Sequence, residues 1–359
     1  MISADPIALY INWPAAPAGA LIFSTVTEAL AALSNIDARS GQAELYAESE
    51  KIFPAPDYGI TPAILYIGAG VYRERLVIDR PKVTLVGDAQ KTILVYGLGA
   101  KEIMENGENR GTFRTASVRI DAPDFTAREV TFQNDAGYGH TVGQALALYV
   151  DADRCRFENC RLLGSQDTLF TAPLPFKEAK PGGFKGPGEF KPRVMGRHYY
   201  KGCFIQGDVD FIFGSATAWF EDCEIFSKIP GDRLPPESPD DTPIYGYVTA
   251  ASTYEEVPYG YIFHQCRLTS DCPPHTIFLG RPWREYAKTV FLECELGEHI
   301  HPLGWADWNK DHNHFFYAEY HSTGAGASPD TRADFSHQLT AAQAAEYTVQ
   351  NVFGGWQPE

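Results

Sequence analysis

No stretch of this 359-residue sequence approaches the ~18 uninterrupted apolar residues that a membrane-spanning helix needs, so transmembrane helices are excluded. The N-terminal run MISADPIALYINWPAAPAGALIF has no Lys or Arg ahead of an apolar core, which argues against a secretory signal. A cytoplasmic location is therefore expected for the sequence as given, or secretion if an export signal has been removed. The seven cysteines are odd in number, none pair as CxxC, and no Asn-x-Ser/Thr sequon occurs. Nothing demands an oxidising compartment, and the thiols are expected to be reduced and structural. Positive charge is also scarce: 30 Lys and Arg face 46 Asp and Glu, a net charge of −16, which argues against nucleic acid or anionic lipid as the main partner. With 44% hydrophobic and 21% charged residues the chain can bury a core, and disorder drops out.

What the sequence does contain is a repeat carried by its cysteines. Five of them share one frame, an aromatic residue, two residues, Cys, one residue, then an aliphatic: Phe157/Cys160/Leu162, Tyr200/Cys203/Ile205, Phe220/Cys223/Ile225, Phe263/Cys266/Leu268 and Phe291/Cys294/Leu296. Side chains alternate along a strand, so the Cys and the aliphatic residue two later face the same way. Cys203 and Cys223 are 20 residues apart, while Cys160 to Cys203 and Cys223 to Cys266 span 43, near twice that with room for an insertion. A recurring unit offering one small buried thiol per copy suits a parallel β-solenoid, in which like residues stack in interior ladders ~4.8 Å apart. Ordinary buried strands of a β-sandwich are the alternative; a metal site fits less well because the ligand spacings are wrong.

The remainder reads as one domain over residues 1–359. TVTEALAAL (25–33) opens with a Thr25/Glu28 capping box and sets Val26, Ala29, Leu30 and Leu33 on one face, which predicts a helix capping the N-terminal end of the solenoid, with the cap extending over about 20–60. Residues 64–78 and 82–88 read as short strands with Gly turns. Two segments without periodicity, 172–191 and 229–241, are expected to be surface excursions forming walls or lids. Residues 337–348 look helical.

Four polar clusters interrupt the apolar pattern: GQALAL (143–148), GSQDTLF (164–170), GDVDFIFG (207–214) and FLGRPWREY (278–286). A buried polar group without a partner costs several kcal/mol, so each needs a reason. Asp210 precedes Phe-Ile-Phe, an apolar setting that would push its carboxyl pKa up unless a cation held it ionised, and Arg281 is the obvious cation. Asp208 is read as a solvated turn residue. Gln166 and Asp167 are adjacent and would point to opposite strand faces, so for both to face one cleft the Gly164/Ser165 turn must break the alternation. Two close carboxylates would divide into an ionised nucleophile and a protonated acid. Gln144 and Gln166 supply neutral donors suited to a developing oxyanion. A carboxylate pair alone fits glycoside hydrolysis as well as ester hydrolysis.

At these motifs the chain resembles the pectin methylesterases (pectinesterases). GVYRERLVI, QALAL, GSQDTLF, GDVDFIFG, GYVTAAST (246–253), LGRPWREYAKTVF (279–291), HPLGW (301–305) and FYAEY (316–320) follow that family's order from about residue 60 to the end. The resemblance implies a right-handed parallel β-helix and an esterase acting on the C6 methyl ester of galacturonate in pectin or methylated oligogalacturonides. It casts Asp210 as nucleophile, Asp167 as acid then base, Gln144 and Gln166 as oxyanion hole and Arg281 as the holder of Asp210. It also implies a sugar groove lined by Trp283, Phe213, Phe170, Val209 and Thr249. No metal or cofactor is implied, nor a nucleic-acid or membrane partner, and a monomer is expected. Phe170 departs from the Tyr often found there, and the 172–191 insertion is a larger departure. Its Lys177, Lys180, Lys185 and Lys191 suggest a patch for free uronate carboxylates, or else a wall restricting the groove to short oligomers. The rival readings are another β-helical galacturonan-degrading enzyme and a noncatalytic carbohydrate-binding solenoid.

Overall fold

The computed structural model describes residues 5–40, 60–231 and 243–358. Three sheets of 12, 8 and 7 parallel strands run along its length, and the chain visits them in turn, once per coil, as a parallel β-helix. One coil shows the plan. Cys155–Glu158 lies in the first sheet, Arg161–Leu163 in the second and Leu169–Thr171 in the third, before Arg197–Lys201 returns to the first sheet one coil later.

The cysteine frame marks the corner between the first and second sheets. Its aromatic residue is the last inward side chain of the first-sheet strand, and the Cys is the first inward one after the turn. The turn is made by a single left-handed residue just before the Cys: Asn159 (φ 49°), Gly202 (60°), Asp222 (51°), Gln265 (54°) and Glu293 (53°). Left-handed backbone strains most residues, and here it is held by a repeated bond in which each of these N–H groups donates to a carbonyl of the next coil, Asn159 to Lys201 O at 2.9 Å and Asp222 to His264 O at 3.1 Å. Inside, the frame's five rings form one stack with centroids 4.8, 4.7, 4.5 and 4.5 Å apart and planes within 9° of parallel. The thiols of Cys203, Cys223, Cys266 and Cys294 each point at the carbonyl of the ring residue one coil earlier, at 3.4 to 3.5 Å. All seven cysteines are buried and free.

The register corrects one expectation. Arg161 pairs with Phe204, so Cys160 to Cys203 is a single coil, and the pairing of Glu224 with Arg267 makes Cys223 to Cys266 another. The extra length sits in excursions outside the strands, which the Cys spacing alone does not reveal.

The N-terminal helix runs over Val26–Ser40, further than the motif suggests. Its capping box is formed, with the Glu28 N–H on Thr25 Oγ1 and the Thr25 N–H on Glu28 Oε2. Val26, Ala29 and Leu33 enter the same core cluster as Leu9 and Leu76. Of the expected cap, residues 41–59 lie outside the described residues, as do 232–241 of the second excursion. At the other end the structure departs from a continuous 337–348 helix. His337–Gln338 is a last strand of the first sheet, followed by the single-turn helices Ala341–Ala344 and Val349–Val352. Leu339, Val352 and Phe353 pack beside Tyr199, Trp219 and Val290 on the outside of that sheet, so the segment lies along the flank. Among the described residues no helix is long and apolar enough to cross a membrane.

Candidate active site

The second corner, between the second and third sheets, brings the predicted carboxylates together. Leu169 pairs with Ile212 across adjacent coils, which places Asp167 beside Asp210, and the Asp167 N–H donates to Val209 O at 3.0 Å. Both aspartates are left-handed, Asp167 at φ 61° and Asp210 at φ 51°. This is how the alternation is broken: not at Gly164/Ser165 but at the aspartates themselves, with a bulge between Val209 and Ile212 making Asp210 the extra residue. Asp tolerates this conformation better than most side chains.

Arg281 follows the third-sheet strand Ile277–Gly280, its own N–H tied to Thr249 O at 3.0 Å. Its guanidinium grips Asp210 with both prongs, Nε to Oδ1 at 2.8 Å and Nη2 to Oδ2 at 2.7 Å. Burial pushes the Asp210 carboxyl up, and the Arg281 hydrogen bonds and charge oppose that. Asp167 is pushed well above the ordinary carboxyl range, first by burial and then by the charge of Asp210. The pair therefore divides: the first proton leaves from the Arg281-bound carboxyl, and the second carboxyl keeps its own.

Gln166 is half-buried, and its side chain acts weakly on the Asp167 carboxyl against the larger effect of burial. A side chain at Gly139 would crowd Gln166, because a Cβ there would lie 2.7 Å from the Gln166 Cβ. Gln144 sits on the preceding coil beside Ala145, whose N–H donates to Gln166 O. The backbone of Gln144 thus runs beside that of Gln166 on the adjacent coil. Gln133, Tyr138, Ser165, Gln206 and Lys228 line a cavity of about 180 Å³ on the second-sheet side of this corner.

The aromatic assignments fare unevenly. Trp283 is half-buried and Phe213 is 3% exposed, the two rings meeting edge to face at 5.6 Å. Phe170 has no exposed surface. It is packed among Phe113, Tyr149 and Phe213 and cannot offer a face to a sugar, which corrects its place in the groove lining. Thr249 is likewise wholly buried, its hydroxyl donating to Leu279 O at 3.0 Å, so it holds the strand that carries Arg281 rather than facing a ligand. Val209 is half-buried and carries the bulge. Asp208 is not solvated but 1% exposed, with Oδ1 accepting the Val209 N–H.

The 172–191 insertion packs onto the aromatic side of the site. Phe184 is buried at 6.0 Å from Phe113 and 6.4 Å from Trp283, and Tyr254 Oη donates to Leu174 O at 2.6 Å. Its lysines do not form the expected four-residue patch. Lys185 pairs with Glu108, and Lys191 bridges Asp121 and Asp151.

Three aromatic residues escape sequence reasoning. Tyr247 and Trp308 both lie against the Arg281 guanidinium, with ring centroids 3.8 and 3.9 Å from its central carbon. Tyr317 is buried nearby, stacked on Trp305 at 4.3 Å, and its hydroxyl has no hydrogen-bond partner among the described residues. Tyr247 and Tyr317 lie within the quoted motifs GYVTAAST and FYAEY, but nothing in those strings marks them as neighbours of Arg281.

The family model described as Pectinesterase matches residues 34–174 and 193–355, and the stretch it skips falls within the insertion and the residue after it. Pectinesterase 2 of Citrus sinensis is 32% identical over 336 residues, covering 89% of this chain and 58% of its own length. The chain thus spans little more than half of that relative. Among solved structures, pectin methylesterase PemA from Erwinia chrysanthemi matches with a TM-score of 0.73 and 28% identity over 99% of each chain. A pectin methylesterase in complex with a hexasaccharide matches with the same TM-score of 0.73, 28% identity and 99% coverage of both chains.

Proposed function

Since the chain belongs to the pectinesterase family, we propose that it hydrolyses the C6 methyl ester of galacturonate residues in pectin or methylated oligogalacturonides, releasing methanol and leaving the free uronate. The observation that carries this reading is the pair of buried, left-handed aspartates on adjacent coils, one of them held by both prongs of Arg281.

Asp210, the more easily ionised of the two, attacks the ester carbonyl carbon through a carboxylate oxygen. Negative charge builds on the former carbonyl oxygen, where the Gln144 and Gln166 amides can donate to it without neutralising the nucleophile. As the bond to the methoxy oxygen breaks, Asp167 gives its proton to that oxygen and methanol leaves, with the uronate acyl group now on Asp210. Asp167, now a carboxylate, takes a proton from water, and the resulting hydroxide attacks the acyl carbon. The uronate departs and Asp210 is again a carboxylate. Arg281 supports the first step by keeping Asp210 charged and orienting it.

Asp210→Asn removes the nucleophile with almost no change of volume. Methanol release from methyl-esterified galacturonan should fall at least ~10³-fold in a variant that still folds. Near-normal release would overturn the assignment. Methanol without shortening of the chain separates this activity from a glycosidase or a lyase.

A further inference from the structure

Two prongs on one carboxylate do not by themselves fix an arginine, because a side chain with several rotatable bonds can trade such contacts for water. Arg281 is denied that freedom. The Tyr247 ring centroid lies 3.8 Å from its guanidinium carbon and the Trp308 centroid 3.9 Å from it, so the group is packed against two aromatic rings while it makes its hydrogen bonds. Those bonds run from Nε and Nη2 to Asp210.

Trp308 reaches this position by unusual means. Tyr247 belongs to the third-sheet strand Gly246–Ala251, where the coil itself sets its place. Trp308 stands in a loop, with left-handed backbone at both Trp308 (φ 51°) and Asn309 (φ 55°). The turn is held by Asp307, which accepts the Asn309 N–H and bonds His312. Trp308 as a whole remains 39% exposed. A tryptophan serving only to fill the core would be buried; this one lies against the Arg281 guanidinium at 3.9 Å, with the Lys310 ammonium further off at 5.7 Å.

We propose that Trp308 is a positioning residue: with Tyr247 it clamps the Arg281 guanidinium in the one plane from which both donors reach Asp210. The inference rests on the reading of Asp210 as nucleophile and adds to it a residue that acts only through Arg281. The other titratable or charged groups around this pair are Asp167 on the preceding coil, Asp208 on the same turn, Tyr317 behind, and Lys310, whose ammonium lies 5.7 Å from the Trp308 ring. None of the four packs against the guanidinium in the way the two rings do.

The test compares Trp308→Leu, which removes the ring, with Trp308→Phe, which keeps one. Two measurements are made on each purified full chain. The first is kcat and KM for methanol release from methyl-esterified galacturonan as a function of pH. The second, made without substrate, is the pH dependence of carbodiimide labelling of Asp210, read by peptide mass spectrometry. An exposed cation–π contact is worth enough to move a carboxyl by about half a pH unit. With its guanidinium loosened, Asp210 is harder to ionise. In Trp308→Leu both the acidic limb of kcat and the labelling profile should move to higher pH by about that amount, and in Trp308→Phe both should return most of the way. An unmoved limb and labelling profile, a rise in KM alone, or a Phe variant as displaced as the Leu variant would each overturn the proposal. If the wild-type protein releases no methanol at all, the esterase reading fails, while the labelling profile still decides whether the clamp exists.

Discussion

The two corners of each coil use one backbone device for opposite ends. At the first corner a left-handed residue stands just before each Cys of the frame, its N–H donating to the neighbouring coil; Asp222 is exposed and its turn serves only to bring Cys223 inward. At the second corner Asp167 makes the same kind of bond, to Val209 O, from the same backbone conformation. Yet here the left-handed residue is the one proposed to carry the chemistry. In the five coils of the Cys frame the first corner is uniform, with two residues between strands. The second varies from the single residue Asp208 to the long segment that follows Ser227. Regularity at one corner builds the rod, and irregularity at the other puts two like charges side by side, an arrangement a repeating structure would otherwise avoid.

The comparison can be broken most severely from the inside. Phe220→Ala removes the middle ring of the five-ring stack and should cost about 3–5 kcal/mol of stability, read from denaturant unfolding. A loss below about 1 kcal/mol would mean that the stack follows the fold without supporting it.

Protonation offers a subtler break. Burial, followed by the charge of Asp210, raises the folded-state pKa of Asp167 above its unfolded value. The stability associated with this group is therefore fully present below the unfolded carboxyl pKa and is lost as pH rises through the folded value. Asp167→Asn carries no such penalty. It should melt higher than the wild type at pH 8 and no higher at pH 3, and equal melting differences at both would show that Asp167 is not retained as an acid. On the same reasoning the wild-type rate should fall on the alkaline side as Asp167 loses its proton.

The smallest effect sharpens the contrast. Asp222→Gly relieves left-handed strain at the first corner and should leave methanol release unchanged while shifting stability by no more than about 1 kcal/mol in either direction. A large loss of activity would show that the corners are not separable.

The same contrast explains what could be read from the residues alone. The Cys frame was legible because it recurs five times with side chains alternating by two, and so was the N-terminal capping box, which depends only on Thr25 and Glu28. The number of coils was not, because a 43-residue spacing does not distinguish two short coils from one coil with an excursion. Asp167, Asp210 and Arg281 stood out as polar residues in apolar strings, and the family resemblance supplied roles for them. How the two aspartates come to face each other was hidden, since no glycine marks the left-handed positions. Phe170 and Thr249 were placed in the groove because the strings around them match groove motifs, whereas burial is decided by neighbouring coils and by Phe113. The ring clamp on Arg281 joins residues 247, 281 and 308, and no local pattern links them.

Successive Cys frames along the rod lie 43, 20, 43 and 28 residues apart, yet the rings inside stay in one column. Doubling the length of a flexible connection costs only about 0.6 kcal/mol in chain entropy, far less than one interior ring contributes. Material can therefore be added to the rim of such a rod, as it has been between Thr171 and Arg197, almost without thermodynamic consequence. Site and surroundings are on separate controls: descendants of this architecture can remodel the walls around the paired aspartates, and hence what reaches them, while the pair stays where it is.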